Sequence, residues 1–389
     1  MNRAICRPES PSPRRGLSRA QATAVVLACA LGCLDSFADT DLTNSPPPTL
    51  PEQVLVEDTG EFPSDAEAVP RLKQVLKVMV HEVEGLRPRA DEAWSRARVL
   101  TTLRGFDTAL GRLGFVHPAR GGVDTLADAL KPMDIPPAER RALVAETHNR
   151  RRQALLAGQV SGPVHFGDCD TLSLIYLGAA ERIGLPLQLT FIPSCDRRPS
   201  HILIAWGTGR HRLYWETLEA TERSGDQLKR EWHISSTALR SQVALRDLSA
   251  REVRGYGWYL RAIRWERAGE AMRAIKCLRT GLELFPQHAD AHRELAWLIA
   301  TAPTVEVRDH QTAWDSARMA AESLGDSDSL DTLAAVLASS GRFEEAIHQE
   351  RRALAQGGAG TADRAAYRAR LRLYQQHQPF RAGKKLTAP

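Results

Sequence analysis

Gly167-Asp168-Cys169-Asp170-Thr171-Leu172-Ser173 opens an apolar run, and a histidine strand and a Trp215-Glu216-Thr217 strand follow shortly after it. Leu172, Ile175, Tyr176, Ala179 and Ala180 recur at helical spacing, and Gly184-Leu185-Pro186 stops the pattern. The spacing predicts a helix over 171–183 with Cys169 at its mouth. Residues 187–192 read as a buried strand, and His201-Ile202-Leu203-Ile204-Ala205-Trp206 alternates faces with period two. A turn around Gly207-Thr208-Gly209 leads into His211-Arg212-Leu213-Tyr214-Trp215-Glu216. Closing that turn with a two- or four-residue loop pairs Trp206 with His211 and His201 with Glu216. Directly opposed residues have Cβ atoms roughly 4.5–5.5 Å apart, so Glu216 can orient and charge-stabilise the imidazole.

A thiolate forms at neutral pH only where something lowers the cysteine pKa. A helix N-terminus supplies about 0.3–1 kcal/mol, less than one pKa unit, and Asp168 and Asp170 push the other way. Thiolate formation therefore calls for His201 as an ion-pair partner, while Asp170 is expected to cap the first helical turn.

At these residues the chain resembles the transglutaminase-like (papain-like cysteine) superfamily, in its branch of short bacterial domains. The matching stretches are Cys169-Asp170-Thr171-Leu172-Ser173-Leu174-Ile175-Tyr176-Leu177, then Ala180-Glu181-Arg182-Ile183-Gly184-Leu185-Pro186, then Pro199-Ser200-His201-Ile202-Leu203-Ile204. The resemblance implies an α+β fold, helices plus an antiparallel sheet, with a Cys, His and acid triad acting on amide or acyl bonds. Carried over position by position, Cys169 is the nucleophile, His201 the general base and Glu216 the third member. Related domains often read Asn-x-Glu-Thr where this chain has Tyr214-Trp215-Glu216-Thr217. The reading calls for no cofactor and no metal; His165, Asp168, Cys169 and His201 as a zinc set is a remote alternative.

The 389 residues exceed what one core usually organises, so two domains are expected. With 43% hydrophobic and 25% charged residues the bulk is globular. At the start, Arg14, Arg15 and Arg19 precede an apolar run over 22–34, and Ser36-Phe37-Ala38 supplies small residues for cleavage, the pattern of an export signal over 1–38. The run falls short of the roughly 20 residues a membrane span needs. Val26-Leu27-Ala28-Cys29 and Ala30-Leu31-Gly32-Cys33 are imperfect lipoprotein boxes, so the expected location is the periplasm or cell envelope, with a lipid anchor as one option.

Removing residues 1–38 deletes five arginines and two acids, which takes the formal charge from +5 to +2. No nucleic-acid surface is indicated, since Arg150-Arg151-Arg152 is a short run read as a solvated helix face. The same cleavage leaves Cys169, Cys195 and Cys277, an odd number, so at least one thiol should stay unpaired in an oxidising compartment. Cys195 is read as a loop cysteine in preference to a disulfide partner of Cys169.

Residues 39–70, rich in proline and acids, read as a stiff solvated linker. Leu72, Val75, Leu76, Met79 and Val83 mark an amphipathic helix that begins the catalytic-type domain, 71–250. From Gly255, Trp258, Ala262, Trp265, Gly269, Ala274, Leu278 and Pro286 follow the spacing of a 34-residue tetratricopeptide unit, with Gly281 in its small-residue slot. A unit with a lengthened turn follows around Leu295, Ala296 and Ile299, and Leu333, Ala334, Leu337, Gly341, Ala346 and Ala353 repeat the pattern. The second domain is thus an all-α tetratricopeptide stack over 251–376, capped by a helix around Tyr367 to Tyr374, with a disordered tail over 377–389. Trp258, Trp265, Trp297 and Trp314 are read as packing residues.

Such stacks resemble modules that bind a protein or peptide. Two functions remain open on the sequence: an exported cysteine hydrolase or acyl transferase, and a catalytically inactive envelope scaffold that mediates protein–protein contacts.

Overall fold

The computed structural model describes residues 46–117, 125–146, 163–195, 198–305, 308–356 and 360–383. The expected export signal, both lipoprotein boxes and Arg150-Arg151-Arg152 lie outside them. The fold is mixed α+β, with a small antiparallel sheet and many helices. Among the described residues no helix is long and apolar enough to cross a membrane.

Helix α1 (Leu50–Glu61) starts on a reciprocal cap: the Thr49 hydroxyl accepts from the Glu52 amide, and the Glu52 carboxylate accepts from the Thr49 amide. Helices α2 (Ala68–Glu82) and α3 (Arg96–Arg112) follow, then a short parallel pair, β1 (Phe115–Val116) and β2 (His165–Phe166), flanking α4 (Leu126–Ala129) and α5 (Pro137–Glu146). The central helix α6 (Cys169–Ile183) is apolar on nearly every side because it is enclosed. Leu172, Ile175, Tyr176 and Ala179 have no exposed surface, and α6 packs against α1, α2 and the sheet. Its end is set by Gly184, whose left-handed φ of 70° an L side chain adopts at a cost.

The sheet runs β3 (Gln188–Ile192), β4 (His201–Trp206), β5 (Leu213–Glu216), β6 (Thr221–Arg223) and β7 (Arg246–Asp247), in the order β6-β5-β4-β3-β7, with every neighbour antiparallel. Two short helices, α7 (Gly225–Glu231) and α8 (Ser236–Arg240), join β6 to β7. Helix pairs follow: α9 (Ala250–Arg267) with α10 (Ala271–Leu284), α11 (Ala289–Thr301) with α12 (His310–Leu324), α13 (Ser327–Ser339) with α14 (Phe343–Ala355), and a final α15 (Thr361–Gln375). Helices α9 and α10 approach through their backbones, since a Cβ on Gly255 would stand 2.8 Å from the Gly281 oxygen. Each expected packing tryptophan lies under a guanidinium: Trp258 under Arg261, Trp265 under Arg273, Trp297 under Arg370 and Trp314 under Arg342.

Three boundary expectations need correction. The linker over 39–70 is not a solvated stem from Leu50 onward, because Leu50, Val54 and Leu55 enter the same apolar cluster as α6. The proline and acid content masked a capping box followed by an apolar helix face. The apolar cluster around α6 also runs past the expected split at 250/251, and a second cluster starts at Ala262 and extends to Tyr374. The described residues from 48 onward form one compact unit, and Val253, Tyr256 and Leu260 of α9 belong to the α6 cluster. Buried Arg261 binds α9 to α1, with Nε 2.7 Å from Asp58 Oδ1 and Nη2 donating to the Val54 carbonyl at 2.6 Å. The tail, finally, is docked through residue 383: Phe380 meets Trp297 at 5.7 Å between ring centres, and the Ala382 amide donates to the Thr301 carbonyl.

Candidate functional site

Cys169 is the first residue of α6, half-buried, and its N-cap is Asp168, whose carboxylate accepts from the Thr171 amide at 3.0 Å. The cap is therefore two residues earlier than expected, at Asp168 and not Asp170. Asp170, the second residue of α6, accepts from the Tyr256 hydroxyl at 2.8 Å and from the Cys169 thiol at 3.4 Å. The spacing Asp168-x-x-Thr171 was the signal available in the sequence, since an N-cap acceptor finds its partner three residues on.

His201 opens β4 and Glu216 closes β5, and both are almost wholly buried, at 4% and 3% exposure. Imidazole Nε2 lies 2.5 Å from Glu216 Oε2, while Oε1 accepts from the Leu218 amide at 3.1 Å. With Nε2 committed to the carboxylate, Nδ1 is the nitrogen left to take a proton. The indole of Trp232 stacks on the imidazole at 4.2 Å. Ser173 fixes α6 to this corner of the sheet, donating to the Ile202 carbonyl and sharing a hydrogen bond with Thr217.

The contact forms in a register different from the expected one. The ladder pairs Trp206 with Leu213, Ala205 with Tyr214 and Ile204 with Trp215, a two-residue shift. The reason is the turn, which spans 207–212 and holds a short helical turn at Gly209–His211. A shift of two preserves the pleat, so His201 and Glu216 stay on one face as diagonal neighbours, and their side chains close the gap.

Electrostatics depart further from expectation. Burial pushes the Cys169 thiol well above its ordinary pKa, and the charges of Asp170, Asp168 and Glu216 add to this, while the adjacent Ile202 amide works the other way. Burial, and then the Asp168 charge, also raise the Asp170 carboxyl, against the Tyr256 hydrogen bond and the nearby His201. Burial works to raise Glu216 as well, yet the charge and hydrogen bond of His201 hold it below the usual carboxylate range. Among the described residues Cys169 and His201 share no direct hydrogen bond. The direct thiol–imidazole contact that the expected ion pair calls for does not form among the described residues; the thiol donates to Asp170 instead, and His201 lies beside the helix that carries it.

Cys169, Cys195 and Cys277 stand outside any disulfide. Cys195 donates to the Trp232 carbonyl at 2.8 Å, which ties its loop to the indole over His201. His165 stacks on Phe115, and among the described residues no group of three His, Cys, Asp or Glu side chains could hold a metal ion. A cavity of about 700 Å³ lies against Arg96, Arg212, Tyr214 and Arg223, and another of about 370 Å³ against Glu294, Asp331 and Arg370; none of the three site residues lines either. Sequence reading missed Tyr256 and Trp232, because nothing near them in the chain relates them to Cys169.

No family model matches the chain, and neither a curated protein nor a solved structure matches it.

Proposed function

We propose that this chain is an exported cysteine enzyme of the transglutaminase-like type, acting on amide or acyl bonds, with a tetratricopeptide-type helix stack that binds a protein or peptide. The observation that carries the reading is the buried His201–Glu216 pair at 2.5 Å, set beside a cysteine at a helix N-terminus. In this mechanism the thiol rotates from Asp170 toward His201, and Nδ1 takes its proton as sulfur attacks the carbonyl carbon. Glu216 stabilises the imidazolium so formed. The imidazolium then protonates the leaving amine as the carbon–nitrogen bond breaks, which leaves a thioester on Cys169. Water or an acceptor amine, deprotonated by His201, completes the cycle. Backbone amides at the α6 N-terminus are the donors best placed for the oxyanion. Exit from the cytoplasm rests on residues 1–38, and a lipid anchor would use Cys29 or Cys33.

A second reading, an inactive envelope scaffold, is favoured by one specific observation: the resting thiol donates to Asp170 and not to His201. The two separate by iodoacetamide labelling of the purified chain across pH, followed at the Cys169 peptide by mass spectrometry. The enzyme reading expects labelling that slows at least ~10-fold in His201→Ala. Equal rates in both proteins would make the chain a scaffold.

A further inference from the structure

Three features of the site region are unused by the mechanism above: the Asp170 carboxylate, the Tyr256 hydroxyl on it, and the origin of that tyrosine in the first helix of the stack. Tyr256 is 1% exposed and is held by its surroundings, with its ring parallel to His288 at 5.5 Å and edge-on to Phe191 at 5.7 Å. Its hydroxyl therefore has little freedom, and it is aimed at one carboxylate oxygen, Asp170 Oδ1, which also receives the Cys169 thiol. A hydroxyl donor favours the charged form of the carboxylate, and a charged carboxylate beside a thiol opposes loss of the thiol proton. The three groups form a chain, from stack helix to helix mouth to nucleophile.

We propose that Asp170 and Tyr256 are positioning residues that restrain Cys169, the carboxylate holding the thiol proton away from His201 and the tyrosine holding the carboxylate in place. This rests on the enzyme reading and adds its regulation: the nucleophile is released when the Tyr256–Asp170 contact opens. The stack thereby contributes a residue to the site as well as a binding surface. Among the described residues the ionisable groups facing the thiol or its Asp170–Tyr256 partners are Asp168 and Asp170 on α6, His201 on β4, Glu216 on β5, and Tyr256 and Tyr259 on α9, with His117 acting on Asp168 and His288 stacked on Tyr256. All but the histidines oppose thiolate formation when charged, and among these groups Asp170 is in hydrogen-bond contact with the sulfur.

The test is the pH–rate profile of Cys169 alkylation by iodoacetamide in the full mature chain, in wild type, Asp170→Asn, Tyr256→Phe and His201→Ala. Asp170→Asn keeps the shape and removes the charge, and Tyr256→Phe removes the donor that keeps the carboxylate charged. Both should label about 10-fold faster near pH 8, with the midpoint moved to lower pH, since one unit of thiol pKa is tenfold in thiolate. Two near-isosteric variants with the same expected sign guard against misfolding of either. Unchanged or slower labelling in Asp170→Asn and Tyr256→Phe overturns the restraint, and if His201→Ala is still slow the enzyme reading survives that result. Faster labelling in both variants with His201→Ala equal to wild type supports the restraint on the thiol and sinks the enzyme reading instead.

Discussion

Gly255→Ala probes the junction that delivers Tyr256 to the site. Helices α9 and α10 cross at Gly255 and Gly281, and a Cβ on Gly255 would lie 2.8 Å from the Gly281 oxygen, 2.8 Å from Phe285 Cβ and 3.0 Å from the Phe285 nitrogen. Two of these are backbone atoms, which cannot swing aside. Alanine gains about 0.5–1 kcal/mol of helix preference over glycine, whereas overpacking costs about 1–3 kcal/mol, so a net loss of about 1–2 kcal/mol is expected. On the facing helix, a Cβ on Gly281 meets the Gly255 oxygen at 3.0 Å and Trp258 Cβ at 3.3 Å, which predicts a smaller loss. Gly60, exposed near the end of α1 with nothing within 4 Å, is the control, and Gly60→Ala should be neutral to slightly stabilising. Urea unfolding followed by circular dichroism should rank the midpoints Gly60→Ala, wild type, Gly281→Ala, Gly255→Ala from highest to lowest. A Gly255→Ala midpoint at or above wild type would refute the close crossing and, with it, the packing that places Tyr256 against Asp170.

Other expectations follow from the same structure. Leu55→Ala, in a helix that the chain's composition disguises as a linker, should cost about 2–5 kcal/mol in urea unfolding because Leu55 is wholly buried; a change under about 0.5 kcal/mol would return α1 to the status of a solvated stem. Cys169→Ala should leave the unfolding midpoint nearly unchanged, since the half-buried thiol donates one long hydrogen bond, to Asp170, besides its contact with the Ile202 amide, and a large loss would mean that the cysteine is structural. In α14, burial and then the Asp331 charge hold the Glu350 carboxyl far above its ordinary 4.5. Its folded pKa is raised, so the stability it contributes is complete below pH 4.5 and declines as pH rises toward the folded value. Glu350→Gln removes that dependence, and melting at pH 5 and pH 9 should show the variant gaining on wild type as pH increases; a gap that does not change with pH would contradict the buried, protonated carboxyl.

Much of the site could be read in the chain because its signals are local. Leu172, Ile175, Tyr176 and Ala179 reveal the helix by period, Gly184 ends it, and the period-two run from His201 reveals the strand. Even the wrong hairpin register left His201 beside Glu216, because a slip of two residues preserves the face. Chain-distant contacts were the part that stayed hidden. Tyr256 meets Asp170 from 86 positions away, and α9 meets α1 through Arg254 and Arg261 and the turn after it through Arg264, all of which in the sequence look like ordinary surface charges. The upward push on the thiol was hidden for the same reason: burial, its largest cause, is a property of the assembled core.

The most direct test of the central claim is whether Cys169 carries an acyl group that His201 helps to install. The purified chain would be mixed with p-nitrophenyl acetate, following nitrophenol release and the mass of the Cys169 peptide, alongside Cys169→Ala and His201→Ala. The account predicts a burst near one equivalent, an added acetyl group on Cys169 alone, no burst in Cys169→Ala, and a rate lower by about 10²-fold or more in His201→Ala. Acetyl spread over lysines with no burst, or a burst of equal rate without His201, would contradict it.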